Sequence, residues 1–286
     1  MKMVIRQTQQ GLEISGIGAF DLSQTLECGQ CFRFTRDGDG YYGVACGRLI
    51  KVSQHGGTLF FEGAHVGDAE WLTEYFDLAR DYDEIAERLS VDPWITESAR
   101  RYRGVHIMRQ DPWEALCSFI ISQNNNIPRI KKIIAALCEL LGEDIGGSHA
   151  FPSPAVVAAA GETGLAPIRA GFRAAYIVDA AQSIVNGNID LEQVGNMDII
   201  SAAAELKKIR GVGDKVAACV LLFGYGMLDV FPVDVWIKRV IALRYGEGFT
   251  PSRFSPYAGI AQQYLFCRER DEASVRGKML NDMDAD

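Results

Sequence analysis

A chain of 286 residues, 48% hydrophobic and 23% charged, is long enough for one large or two ordinary domains with real cores, and its balance is that of a soluble globular protein. It holds no run of about 18 apolar residues to span a membrane, and its start, MKMVIRQTQQ, turns polar too soon for a secretory signal, so the expected compartment is the cytoplasm. The net charge of −8 weighs against a general polyanion binder, and any nucleic-acid role would need a local basic face.

From Leu12 to Phe61 the chain is rich in Gly, Thr, Val, Phe and Tyr, with turn signals at Asp37-Gly38-Asp39-Gly40 and His55-Gly56-Gly57. Runs such as Tyr41 to Ala45 and Leu49 to Val52 read as antiparallel strands joined by hairpins. Helices are expected over Asp68 to Asp77, with Trp71, Tyr75 and Phe76 on the apolar side, and over Asp81 to Leu89. Within this part lies Leu26-Glu27-Cys28-Gly29-Gln30-Cys31-Phe32-Arg33-Phe34. Its lone CxxC is a weak metal signal, since structural zinc needs four ligands. Seven scattered cysteines point to reduced thiols. No metal site is expected.

The second part reads as mostly helical. Asp111-Pro112-Trp113 is a helix start, with aspartate as N-cap and proline at the first position. That helix ends at Ser122-Gln123-Asn124-Asn125-Asn126-Ile127-Pro128-Arg129-Ile130, where three asparagines favour a loop. Helix signals resume over Ile130 to Leu141, a Gly/Pro/Ser-rich connector runs from Gly142 to Pro154, and Gly171-Phe172-Arg173 opens a helix through Ile184.

Ala202, Ala203, Leu206 and Ile209 recur at helical spacing before Gly211-Val212-Gly213, as do Val216, Val220 and Phe223 after it. Two glycines around one apolar residue suit a sharp reversal close to a partner. The unpaired N–H groups that open the second helix would attract an anion such as a phosphate. Lys215 stands at that opening, and Asp234 follows 19 positions later in Phe-Pro-Val-Asp-Val, placed to cap a helix over Val235 to Leu243. Tyr257 to Phe266 is an amphipathic helix pattern, with Gln262 and Phe266 on one face. The polar tail from Arg268 onward is expected to fray. Asn125 to Tyr245 carries 12 Lys+Arg against 12 Asp+Glu, so the acidic excess lies outside that stretch.

GVGDK followed by PVDV resembles the helix-hairpin-helix DNA glycosylases with a Gly/Pro-rich loop ending in aspartate, and Lys215 resembles the amine of members that also nick the abasic site. The CGQCF and SQNNNIPRI segments, Phe172-Arg173 and the Gln262 to Phe266 helix are similar to 8-oxoguanine DNA glycosylases, in separated blocks from Leu26 to Phe266. The resemblance implies an α+β fold: an N-terminal antiparallel β-rich domain over residues 1–95 and a helical domain with the hairpin and active site over 96–286. It implies double-stranded DNA containing 8-oxoguanine as partner, excision with an abasic lyase step, and no required cofactor. A monovalent cation on backbone carbonyls of the hairpin is a further expectation, and nothing calls for more than a monomer. Such an enzyme would sit at the nucleoid in a bacterium or in the nucleus of a eukaryote.

The resemblance also distributes roles. Asp234 would stabilise the cationic sugar of the transition state, and Lys215 would attack it to form a Schiff base. The Gly29 carbonyl would accept N7–H, a proton that 8-oxoguanine has and guanine lacks. On guanine that acceptor faces a lone pair, at a cost of about 1–3 kcal/mol. Gln262 would read the Watson–Crick edge, with Phe266 and Cys219 on the two faces of the ring. Asn124 would fill the vacated stack and Arg129 would read the orphaned cytosine through its guanidinium fork. Phe172 would wedge at the lesion with Arg173 beside the orphaned base. Gly211 and Gly213 would face phosphate. Trp236 stands where many relatives carry a histidine on the lesion's phosphate. Indole donates one hydrogen bond but cannot become cationic.

Overall fold

The computed structural model describes residues 3–283, and side chains of residues 3–275. Six strands form one antiparallel sheet: β1 (Val4–Gln7), β2 (Gly11–Ser15), β3 (Phe34–Asp37), β4 (Gly40–Ala45), β5 (Arg48–His55) and β6 (Thr58–Glu62), in the order β1-β2-β6-β5-β4-β3. The expected hairpins join β3 to β4 and β5 to β6, pairing Asp37 with Gly40 and His55 with Thr58. The face carrying Leu12, Ile14, Ile50, Val52, Leu59 and Phe61 is buried, as period-2 alternation requires. It packs on α1 (Leu22–Glu27), inserted between β2 and β3, and on α2 (Ala69–Tyr75), which supplies Leu72 and Tyr75, with Phe76 just beyond.

The remaining helices are α3 (Tyr82–Arg88), α4 (Pro93–Tyr102), α5 (Pro112–Ile121), α6 (Ile127–Leu141), α7 (Pro154–Gly164), α8 (Arg173–Val185), α9 (Leu191–Gly195), α10 (Ile199–Leu206), α11 (Asp214–Phe223), α12 (Val235–Val240) and α13 (Ala258–Met283). They share a second core that contains Tyr82, Ile85, Ile95, Leu116, Ile134, Val220 and Tyr264. Local capping explains several of their starts. Asp111 accepts from Glu114 N at 2.8 Å with Pro112 in the first turn of α5, and Asp92 and Ser153 act similarly ahead of Pro93 and Pro154.

Two expectations change. The helix after the asparagines begins at Ile127, three residues early, because Asn126 caps it by accepting Arg129 N at 3.0 Å and proline fits its first turn. The region after Arg268 does not fray there: α13 runs on to Met283. Arg268 pairs with Glu272 at 2.8 Å and stacks 3.3 Å from Trp94, and Tyr102 donates to Asp271 at 2.8 Å. The final residues of the tail, 284–286, lie outside the described residues.

The segment from Leu26 to Phe34 threads between the two cores. Leu26, Cys31 and Phe34 belong to the sheet core, whereas Cys28 and Phe32 belong to the helical one. Gln30, fully buried, fixes this seam by donating to Thr25 O and His106 O and accepting from Met108 N. His106 stacks on Tyr82 at 3.6 Å, with Nδ1 3.0 Å from Asp77 O. The turn at Gly29 is thereby presented to the helical body.

Candidate active site

The chain reverses between α10 and α11 through a turn closed by Val212 N donating to Ile209 O at 3.1 Å. Gly211 has φ of 83°, and a Cβ there would meet the Tyr176 ring at 2.2 Å, so both backbone and space require glycine. Gly213 differs: it caps α11 in an extended conformation, and a Cβ would meet nothing within 4 Å. No side chain caps α11. Its first N–H groups are thus left without a side-chain acceptor, the arrangement that attracts an anion.

Lys215, in that first turn, donates from Nζ to Ser122 Oγ at 2.7 Å and stands 5.2 Å from the centre of the Phe119 ring. Ser122 in turn donates to Phe119 O at 2.7 Å. Asp234 caps α12 by accepting Ile237 N at 2.9 Å. α12 then widens into a π turn over Ile241–Tyr245. Burial raises the Asp234 carboxyl above the usual carboxylate range, against the helix N–H groups of Ile237 and Trp236 and the charge of Lys215. Capping and a second task are compatible, since one oxygen serves the helix and the carboxylate still lines the cavity.

That cavity, about 360 Å³, is lined by Gly29, Lys215, Cys219, Asp234, Trp236, Gln262 and Phe266. Seven expected site residues from four distant parts of the chain therefore converge. Gly29, with φ of 87°, approaches the Phe266 ring within 3.7 Å of where its Cβ would be. Gln262 is buried, and its Oε1 has no hydrogen-bond partner. A buried acceptor left open costs about 1–3 kcal/mol, so it awaits a donor. Burial pushes the Cys219 thiol up to about 11, keeping it protonated and apolar.

The other expected DNA-contacting residues lie outside the cavity. Asn124 is exposed with φ of 47°, and Arg129 is exposed in the first turn of α6. Phe172 is 52% exposed at the start of α8. Arg173 departs from its expected position beside an orphaned base. It is 4% exposed, and its guanidinium turns inward to Gln123 O, Ala170 O and Asn124 O. Carbonyls just past the end of α5 lack helical partners and draw those donors. Asn125 also serves the loop, donating to Ile121 O at 3.1 Å. Sequence reasoning missed Ser122 and Phe119, because their partner Lys215 lies more than 90 residues away.

Two family models match adjoining stretches of the chain. The N-terminal domain of 8-oxoguanine DNA glycosylase matches residues 14–116, and the HhH-GPD superfamily of base excision DNA repair proteins matches residues 117–251. The N-glycosylase/DNA lyase OGG1 of Arabidopsis thaliana is 31% identical over 285 residues, covering 87% of this chain and 77% of that protein. The chain belongs to the 8-oxoguanine DNA glycosylase family. Among solved family members, MBOgg1 in complex with a low-affinity DNA ligand superposes with a TM-score of 0.90 at 39% identity, covering 96% of this chain and all of that one. The 8-oxoguanine glycosylase/lyase of Clostridium acetobutylicum, bound to double-stranded DNA with cytosine opposite 8-oxoguanine, gives 0.89 at 34% identity over 96% of this chain and all of its own.

Proposed function

We propose that this protein flips 8-oxoguanine out of duplex DNA, excises it, and cleaves the strand at the abasic site it has made. Support comes from one observation above all: an amine and a carboxylate share a cavity with an unpartnered buried amide oxygen, that of Gln262. An amine and a carboxylate are what base removal through a Schiff base requires.

Positive charge develops on the sugar as the glycosidic bond breaks, and Asp234 stabilises it through space. The Lys215 amine forms a bond to the anomeric carbon. The departing base takes up a proton and the amine loses one. Opening of the sugar gives a Schiff base, and loss of the adjacent carbon's proton expels the 3′ phosphate. Gly29, Gln262, Phe266 and Cys219 hold the base. Arg129 and Asn124 meet the orphaned cytosine and the vacated stack, Phe172 wedges the duplex, and Arg173 acts by holding the asparagine loop that presents them. Cytosine opposite the lesion, the arrangement in the Clostridium complex, suits the Arg129 fork. The first turn of α11, which no side chain caps, suits the DNA phosphate at Gly211 and Gly213, and Trp236 at the cavity wall offers a neutral indole N–H. The hairpin carbonyls of Arg210, Gly211 and Val212 accept no hydrogen bond among the described residues, which fits a monovalent cation there. No step depends on it.

Incubation with an 8-oxoguanine:cytosine duplex and borohydride tests this reading. Wild type should release the base and form a covalent adduct, and Lys215→Gln should form none. Base release without an adduct would demote Lys215, whereas absence of both would overturn the 8-oxoguanine assignment and move attention to alkylated purines.

A further inference from the structure

The turn that carries Gly29 is tied down at the carbonyls around that glycine. Glu27 O accepts from Arg270 Nη1 at 2.9 Å, Cys28 O from Gln263 Nε2 at 3.2 Å, and Gln30 O from Gln110 Nε2 at 2.8 Å. Among the described residues, the Gly29 carbonyl accepts no hydrogen bond. Gln263 and Gln110 are 3% and 6% exposed, so their donors are committed where water does not compete. Gln263 and Arg270 both stand on α13, the helix that also carries Gln262 and Phe266. Arg270 additionally lies 5.7 Å from the Phe266 ring centre.

Glycine at φ of 87° has wide conformational freedom, and a free carbonyl there would swing. A hydrogen bond weakens steeply once its donor and acceptor are misaligned. An acceptor that must distinguish two purines by one proton therefore needs its direction fixed from outside.

We propose that Gln263, flanked by Arg270 and Gln110, is a positioning residue for lesion discrimination: by holding the adjoining Cys28 carbonyl it aims that of Gly29 at a purine bearing N7–H. The inference rests on the 8-oxoguanine reading above. It makes α13 responsible for two recognition elements, the Gln262 amide that meets the base edge and the direction of the Gly29 carbonyl.

Gln263→Met keeps length and burial while removing the donor. Three quantities are measured on it: single-turnover excision of 8-oxoguanine opposite cytosine, strand cleavage at a preformed abasic site, and the ratio of Kd values for 8-oxoguanine:cytosine and guanine:cytosine duplexes. An abasic site has no base to read. Excision should fall about tenfold, the Kd ratio should rise toward 1, and abasic-site cleavage should stay at the wild-type rate. Unchanged excision would overturn the proposal, as would a parallel fall in excision and abasic-site cleavage, which marks a merely structural role. If Gln263→Met does not fold, Arg270→Met reads the adjoining tether in the same assays with the same two outcomes. Wild type failing to excise 8-oxoguanine would instead overturn the proposed function, whatever the variant does.

Discussion

The two ends of the cavity are built differently. At the proposed catalytic end, Lys215 and Asp234 each open a helix set by nearby sequence, a glycine turn before α11 and Pro232 with the Asp234 cap before α12, and one long-range contact, from Lys215 Nζ to Ser122 Oγ, holds the amine. At the proposed base-reading end, the carbonyls around Gly29 are held by side chains 80 to 243 residues away from them. On the proposed function, chemistry would draw mostly on local helix starts, whereas recognition would draw on the assembly of the two cores. Damage to one end should therefore leave the other measurably intact.

The sharpest separation comes from Asp234→Asn. Asparagine caps a helix about as well as aspartate, so thermal stability should hold while the excision rate falls by about 10²–10³. A matching loss of Tm would mean that the carboxylate serves the helix more than the sugar.

Acid should act on the seam under the base-reading end. Burial holds His106 at about 4, below its ordinary 6.5. Its contribution to stability is therefore fully present above pH 6.5 and is lost as pH falls through 4. The stability of wild type relative to His106→Phe should drop by about 3 kcal/mol between pH 7 and pH 4, followed by chemical denaturation. A pH-independent difference would remove His106 from the account.

Gly211→Ala should lower stability by about 2 kcal/mol or more, because it combines a left-handed backbone with a clash on Tyr176. Melting temperature and cleavage at a preformed abasic site should fall together, since the hairpin supports Lys215. The smallest effect is expected from Phe172→Ala, which removes an exposed ring. Stability should move by no more than about 0.5 kcal/mol, while duplex binding weakens by about 1–3 kcal/mol in a titration with 8-oxoguanine DNA.

The same division explains what the sequence revealed. The paired hairpins, the Asp111 and Asp234 caps and the glycine turn were legible because short-range backbone chemistry specifies them, whereas the Lys215–Asp234 pair was read as catalytic through family resemblance. That Gly29, Gln262 and Phe266 would share a cavity was legible through family resemblance, since nothing local brings Gly29 beside Phe266. Ser122 under Lys215, the inward turn of Arg173 and the Gln263 tether were not legible. Each is a hydrogen bond closed over 49 or more residues, and a serine, an arginine or a glutamine is unremarked in its own stretch. The continuation of α13 was missed because a polar sequence can still form a docked helix when its arginines stack and pair, as Arg268 does on Trp94 and Glu272.

The most direct test of the catalytic end is to trap the reaction on an 8-oxoguanine:cytosine duplex with borohydride, digest the adduct and locate the modified residue by mass spectrometry. The cavity geometry predicts a single modified position, Lys215. Modification of Lys207, Lys208 or the N-terminal amine instead would contradict the assignment of the nucleophile and the account built on it.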